Sequence, residues 1–248
     1  MDKLKTVGRL VVLTAVLVTA QAQASSGAKL EKAHIDPGNI ASLQRGAANF
    51  MNYCSGCHSA RYVRFNTIGK YLGLSEEELV DNLMFNAEKT FETIQASMPA
   101  SDAARWYGKA PPDMSLMARA KGADYIYNFL KGFYLDPDSP TGVDNTVLAG
   151  TSMPHVLWEL QGYQKALFSS HTEGGVTSHS LNGFELVVEG SMVDEDFDEF
   201  VRDTVNFLVY ISEPIRSERR KLGVWVLMFL IFFWILSVML KKQIWKDV

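Results

Sequence analysis

Cysteine is almost absent from this chain of 248 residues: there are two, Cys54 and Cys57. A zinc site built on them would need two more ligands of matching spacing, and no further cysteine exists to supply one. Basic charge is also short, with 24 Lys and Arg against 28 Asp and Glu. That balance argues against a nucleic-acid partner. It fits a basic protein partner, through complementary fields that speed encounter. The sequence shows no internal repeat, no low-complexity tract and no βαβ pattern, so its central part reads as one unit. No acid–base pair or activated nucleophile is recognisable, which leaves the chain without catalytic residues of its own.

The two cysteines that are present stand in a specific order. Cys54-Ser55-Gly56-Cys57-His58 is a Cys-X-X-Cys-His sequence, the attachment pattern of a c-type haem. Two thiols at this spacing can form thioethers with the two vinyl groups of one porphyrin. The adjacent His58 then stands under the iron as proximal ligand. Small residues between them, Ser55 and Gly56, let the backbone pass close to the ring edge. The competing reading is a redox-active Cys-X-X-Cys pair in an anchored thiol–disulfide oxidoreductase, where His58 would have no role. A structural disulfide between positions this close would be strained.

Hydrophobic residues make up 47% of the chain but gather at its two ends. Lys3, Lys5 and Arg9 form a basic leader, and Leu10–Ala20 is an apolar run too short to cross a bilayer. Ala22-Gln23-Ala24 is a small-residue cleavage site, so residues 1–24 read as a signal peptide. An uncleaved N-terminal anchor is the other reading. Cleavage removes three basic residues and one acidic one, leaving 21 against 27. Export places the chain in an oxidising compartment, where two free cysteines would be unusual. Covalent capture of a haem accounts for them.

At the other end, Leu222–Leu240 is nineteen residues without a charge. At about 1.5 Å per residue it spans roughly 28 Å, the thickness of a hydrocarbon core. Trp225 and Trp245 suit the two interfaces. Arg216, Arg219, Arg220 and Lys221 precede the span, while Lys241, Lys242 and Lys246 follow it. This balance does not orient the span by the positive-inside rule. The leader and the haem motif both require an exported body. The expected layout is therefore residues 25–221 outside, a single span at 222–240, and a cytoplasmic tail at 241–248.

Between the ends, Ser25–Ile40 reads as an extended arm, and Ser42–Asn52 as a helix leading into the haem motif. Ser75 and Glu78 form a capping box for the next helix. Pro111-Pro112 fixes a loop. Helices are expected over Ser115–Lys121 and Ala123–Lys131, and a long loop over Phe133–Ser152. A short hairpin is expected around Gly183–Val188. Asp194 is the candidate N-cap of a last soluble helix that Pro214 ends.

A haem that only carries electrons needs a second axial donor. The candidates are Met84, Met98, Met114, Met117, Met153 and Met192, with His34, His155, His171 and His179. Most methionines are core filler. A methionine on an irregular loop, followed by a proline that holds the loop open, is more informative. Met98-Pro99 and Met153-Pro154 both qualify. Methionine–histidine ligation raises the reduction potential, as a carrier late in a chain requires.

In order, these features resemble the cytochrome c1 family, the haem subunits of the bacterial cytochrome bc1 complex. Leu43-Gln44-Arg45-Gly46-Ala47 leads into Asn52-Tyr53-Cys54-Ser55-Gly56-Cys57-His58-Ser59, followed by Arg61-Tyr62-Val63-Arg64-Phe65. Pro111-Pro112-Asp113-Met114-Ser115 is similar to the family's Pro-Pro-Asp-Leu-Ser loop. The stretch from Met153-Pro154-His155 to Glu159-Leu160-Gln161-Gly162 resembles the ligand loop of bacterial members. The anchor is preceded by Glu213-Pro214 and Arg219-Arg220-Lys221.

The resemblance implies a mainly α, c-type cytochrome fold with long loops around one covalent haem c, plus one C-terminal transmembrane helix. Cys54 and Cys57 would hold the haem, with His58 and Met153 as its axial ligands. Pro112 and its loop would pack on the ring. Arg119, Lys121 and Tyr125 would approach a propionate, although the family often has an arginine where Lys121 stands and this segment is one residue shorter. The implied function is the electron-transfer subunit of ubiquinol–cytochrome c reductase, a redox subunit of a proton-translocating complex. The Rieske iron–sulfur protein would reduce it, and a cytochrome c would take its electrons. Quinol oxidation would lie on cytochrome b. The implied place is the bacterial inner membrane, single-pass among lipid, with the haem domain on the periplasmic side. A membrane-anchored c-type carrier outside a bc1 complex is the alternative.

Overall fold

The structure, a computed structural model, describes residues 30–173 and 176–246; the expected leader at 1–24 lies outside them. An irregular arm precedes helix α1 (Ile40–Tyr53). Strand β1 (Ala60–Arg64), helices α2 (Phe65–Leu72) and α3 (Glu76–Leu83), strand β2 (Thr93–Ile94) and helix α4 (Ala100–Tyr107) follow. Next come helices α5 (Met117–Lys121) and α6 (Ala123–Lys131), then strands β3 (Phe133–Leu135) and β4 (Val143–Asn145). Helix α7 (Trp158–Gln161) leads to strands β5 (Gly162–Glu173) and β6 (Val176–Glu189), helix α8 (Asp194–Ser212) and helix α9 (Arg216–Ile244). The described strands form three antiparallel pairs, β1 with β2, β3 with β4 and β5 with β6.

The core forms where α1 crosses α8. Asn39 caps α1 by accepting the Ser42 amide, and Leu43, Ala47, Phe50 and Met51 line its buried stripe. On α8 the matching stripe includes Phe197, Val201, Val205 and Leu208. Gly46 permits the crossing: a Cβ there would lie 2.0 Å from the Asp203 carbonyl oxygen. Beside it, the Phe50 and Phe207 rings sit with centroids 5.8 Å apart. The Asp203 carboxylate is buried at the same crossing. It accepts from Ser42 Oγ at 2.6 Å and Arg45 Nε at 2.5 Å, and Asn206 Nδ2 donates to Ser42 Oγ at 2.8 Å. A buried carboxylate is tolerated only with such partners. Here they also pin the register of the two helices.

The capping box of α3 forms as the sequence predicts, with Ser75 and Glu78 satisfying each other's backbone. Other details differ. Val193, not Asp194, occupies the N-cap of α8 and makes no side-chain bond. Asp194 is the first helical residue, where its charge favours the positive end of the helix dipole. The stretch expected as one loop, Phe133–Ser152, contains β3 and β4, each too short to show alternation. The expected short hairpin is a long one, β5–β6, whose register slips between Tyr163 and Gln164 and again between Leu167 and Phe168. Those bulges break the period-two pattern from which a strand is read.

Helix α9 contains the whole apolar stretch 222–240 and runs beyond it at both ends, with Glu218–Ile244 long and apolar enough to cross a membrane. Its side chains are exposed rather than buried in the protein, as a helix in contact with lipid requires.

Candidate haem site

The attachment motif is the turn that follows α1, with Cys54 at the helix C-cap. Cys54 and Ser55 both donate their amides to the Phe50 carbonyl at 2.9 Å, and His58 N–H returns to the Cys54 carbonyl at 2.8 Å. Both thiols end half-buried on one short loop. A Cβ on Gly56 would meet open space, and its carbonyl accepts the Met98 amide at 2.9 Å. Burial pushes the Cys54 thiol up to about 12 and the Cys57 thiol upward as well. A thiol–disulfide exchange pair needs the opposite shift.

His58 is fixed by its far nitrogen. Nδ1 lies 2.8 Å from the Pro112 carbonyl, which can only accept, so Nδ1 carries the proton and Nε2 keeps a free lone pair. Burial lowers the His58 pKa, which favours the neutral imidazole that a metal ligand must be. The Pro112 loop is itself tied down. The Asp113 carboxylate accepts from Arg61 and Ser115 amides, each at 2.9 Å. Ser115 Oγ accepts from the Tyr62 amide at 3.1 Å, and the Met114 amide donates to the Ser59 carbonyl at 2.7 Å. Burial opposes ionisation of Asp113, but these hydrogen bonds hold its carboxyl below the ordinary range.

This donor set fits a covalent haem. Two thiols and an imidazole share one loop, the imidazole tautomer leaves Nε2 for iron, and a backbone carbonyl orients the ring from behind. The two methionine candidates have different settings. Met98 is held by its backbone to the motif loop itself. Met153 packs against the hydrophobic core, as do Cys54, Met114 and Tyr125. Arg119 and Lys121 are exposed on α5. Lys121 Nζ lies 5.3 Å from the centre of the Tyr125 ring on α6. Gly122 joins the two helices with φ of 91°, a conformation that favours glycine.

Among the histidine candidates, His34 is exposed. His155 is buried and stacked on Phe133, with ring centroids 5.1 Å apart and planes 10° from parallel. Neither of its nitrogens makes a hydrogen bond of good geometry among the described residues, and burial pushes its pKa down to about 4 against a weak opposing contact with the Gly162 backbone. Ser59, Asp113 and Ser115 stand inside the sequence motifs, but the motifs do not show that they brace the loop. An Asp two residues before a Ser is an Asx-turn signal that could have revealed them.

Comparison with known proteins gives a consistent picture. A family model described as the cytochrome C1 family matches residues 32–248. A cytochrome c1 of Allochromatium vinosum is 44% identical over 243 residues, covering 97% of this chain and 99% of that protein. A Nitrosomonas europaea protein named ammonia monooxygenase gamma subunit is 39% identical, covering 95% of this chain and 97% of its own. The mitochondrial cytochrome c1 heme protein of Saccharomyces cerevisiae is 26% identical, covering 84% of this chain and 67% of its own length.

Proposed function

The chain belongs to the cytochrome c1 family, whose members are haem electron-transfer subunits of the bc1 complex, and from that premise we propose the residues and setting through which it acts. Cys54 and Cys57 would hold one haem c covalently, and His58 Nε2 and Met153 Sδ would be the donors to its iron. The bond from His58 Nδ1 to the Pro112 carbonyl at 2.8 Å is the observation that carries this reading. When bound, the haem supplies a one-electron iron couple. The chain's own work is to hold that couple still and set its potential. The Pro112 carbonyl fixes the imidazole. A methionine donor beside the histidine would raise its potential. Pro112 would pack on the ring, and Arg119, Lys121 and Tyr125 would approach its propionates.

Electrons arrive from the Rieske iron–sulfur protein and leave to a cytochrome c, while cytochrome b carries the quinol chemistry. Residues 1–24 are a cleaved signal peptide and 25–221 a periplasmic domain. Residues 222–240 anchor that domain in the bacterial inner membrane among its lipids, and 241–248 form the cytoplasmic tail. The upward shift of both thiols speaks against the thiol–disulfide reading.

Two measurements test this proposal. Haem should stay on the denatured chain, and Cys57→Ala should leave a single thioether with altered haem spectra; a denatured chain without haem refutes it. Solubilised membranes should yield the chain together with cytochrome b and an iron–sulfur protein. Isolation without them would favour an anchored carrier outside the bc1 complex.

A further inference from the structure

We propose that Asp144, on β4, is the positioning residue for Met153. The inference rests on Met153 as a donor to the haem iron, as proposed above, and adds how the chain holds it. Asp144 sits opposite Tyr134 in the β3–β4 pair. Its Oδ1 accepts three backbone amides: Asn145 at 2.8 Å, Gly150 at 2.7 Å and Thr151 at 3.4 Å. Its Oδ2 accepts from the Tyr134 hydroxyl at 3.4 Å. One carboxylate thus gathers both ends of the turn from Asn145 to Thr151. Gly150 turns its amide inward with φ of 70°.

The grip reaches the ligand through Thr151, whose Oγ1 accepts the Met153 amide at 3.4 Å. The buried Asn145 fills the inside of the same turn. Its Oδ1 accepts from Val147 at 2.9 Å and Leu148 at 3.3 Å, and its Nδ2 donates to the Phe129 carbonyl at 2.7 Å. Beyond the ligand, His155 is stacked on Phe133. Met153 therefore lies between two fixed points, Thr151 and His155.

Packing does not do this job on the outer side of the loop. A cavity of about 800 Å³ lies along it, lined by Asp144, Gly150, Thr151, Ser152 and Pro154. A methionine side chain is flexible and its thioether is a weak, neutral donor. Its hold on iron depends on how little freedom its loop has to lose or regain. With open space on one flank, that restriction comes from the hydrogen bonds that converge on Asp144.

The test uses the full-length, haem-loaded protein in detergent. The variants are Asp144→Ala, Asp144→Asn and Thr151→Val, with Met153→Leu as reference. The methionine–iron charge-transfer band, the reduction midpoint and the affinity of the oxidised protein for added imidazole are measured. Asp144→Ala should weaken the band, lower the midpoint and tighten imidazole binding by about tenfold, the loss of roughly one well-made hydrogen bond. Asp144→Asn keeps an acceptor oxygen and should stay close to the parent protein, and Thr151→Val should fall between them. Wild-type imidazole affinity in Asp144→Ala overturns the proposal. So does an Asp144→Asn variant as impaired as the alanine variant, because charge rather than amide capture would then matter. If Met153→Leu keeps the band, the ligand assignment itself has failed, a different result from either of these.

Discussion

His58 donates a hydrogen bond from Nδ1 to the Pro112 carbonyl at 2.8 Å, so a loop 54 residues further along the chain decides which imidazole nitrogen keeps its lone pair free. The Asp113 carboxylate keeps that carbonyl in place through the Arg61 and Ser115 amides. Asp113→Ala is expected to leave both amides without their acceptor and free the loop. The expected cost is about 1–3 kcal/mol, the usual penalty for stranding such groups. Thermal unfolding of the haem-loaded protein measures it. An unchanged midpoint would mean that Pro111-Pro112 and the bonds of Met114 and Ser115 hold the loop without Asp113.

Gly46 lets α1 and α8 approach until a Cβ would overlap the Asp203 carbonyl oxygen. Backbone cannot swing aside as a side chain can, so Gly46→Ala must push the helices apart. That would strain the Asp203, Ser42 and Arg45 bonds and the Phe50–Phe207 contact together. A loss of about 3 kcal/mol is expected, at the upper end for overpacked cores. Denaturant unfolding should show it as a lower midpoint with an unchanged slope. A variant as stable as the parent would show that the crossing is looser than the distances imply.

These two sites mark how far the sequence could be read. The haem motif, the helix before it and the α3 capping box are local, so spacing reveals them: five consecutive residues carry Cys54 to His58, and Ser75 and Glu78 lie three apart. The anchor is legible because lipid tolerates no other composition. The Gly46–Asp203 approach is not legible, because it joins positions 157 residues apart and a glycine inside a helix looks like any other. The same holds for Asp144, whose partners lie in its own loop but whose purpose appears only once Met153 is placed. The β5–β6 hairpin is longer than its alternation suggests because two bulges interrupt the pattern.

Charges at the start of α8 fall into two sets. Asp198 pairs with Lys131 at 2.6 Å and Glu199 with Arg45 at 2.9 Å, so both serve the fold. Asp194, Glu195 and Asp196 are exposed and form no ion pair among the described residues. Neutralising these three should flatten the salt dependence of electron transfer to a basic acceptor, since exposed charges act mainly on encounter. Asp198→Asn should instead lower stability and leave the salt slope unchanged. Stopped-flow rates across ionic strengths separate the two. Equal slopes in the triple variant and the parent would remove this helix from the docking surface.

The Asp124 carboxylate on α6 holds the arm before α1, beside the Glu31–Lys131 ion pair at 3.0 Å. Asp124 accepts Lys32 Nζ at 2.8 Å and the Ala33 amide at 2.9 Å. The Lys32 bond is the larger cause, with the Ala33 amide next, and together they hold the Asp124 carboxyl below its ordinary value. A carboxylate lowered in the folded state stabilises it above the unfolded pKa of about 4, and that contribution is lost as pH falls through the folded value. The strap should therefore be fully engaged at neutral pH and release on the acid side. Asn128 also holds the arm, exchanging bonds with the Glu31 amide and carbonyl at 3.1 and 2.8 Å, but it does not titrate. Release should thus be local to Lys32 and Ala33 rather than a loss of the whole arm. The Ala33 protection factor, which corrects for the intrinsic pH dependence of exchange, should be constant from about pH 7 to 5 and fall below about pH 4. In Asp124→Ala it should be low throughout and independent of pH. Protection that declines equally in both proteins would show that some other group controls the arm.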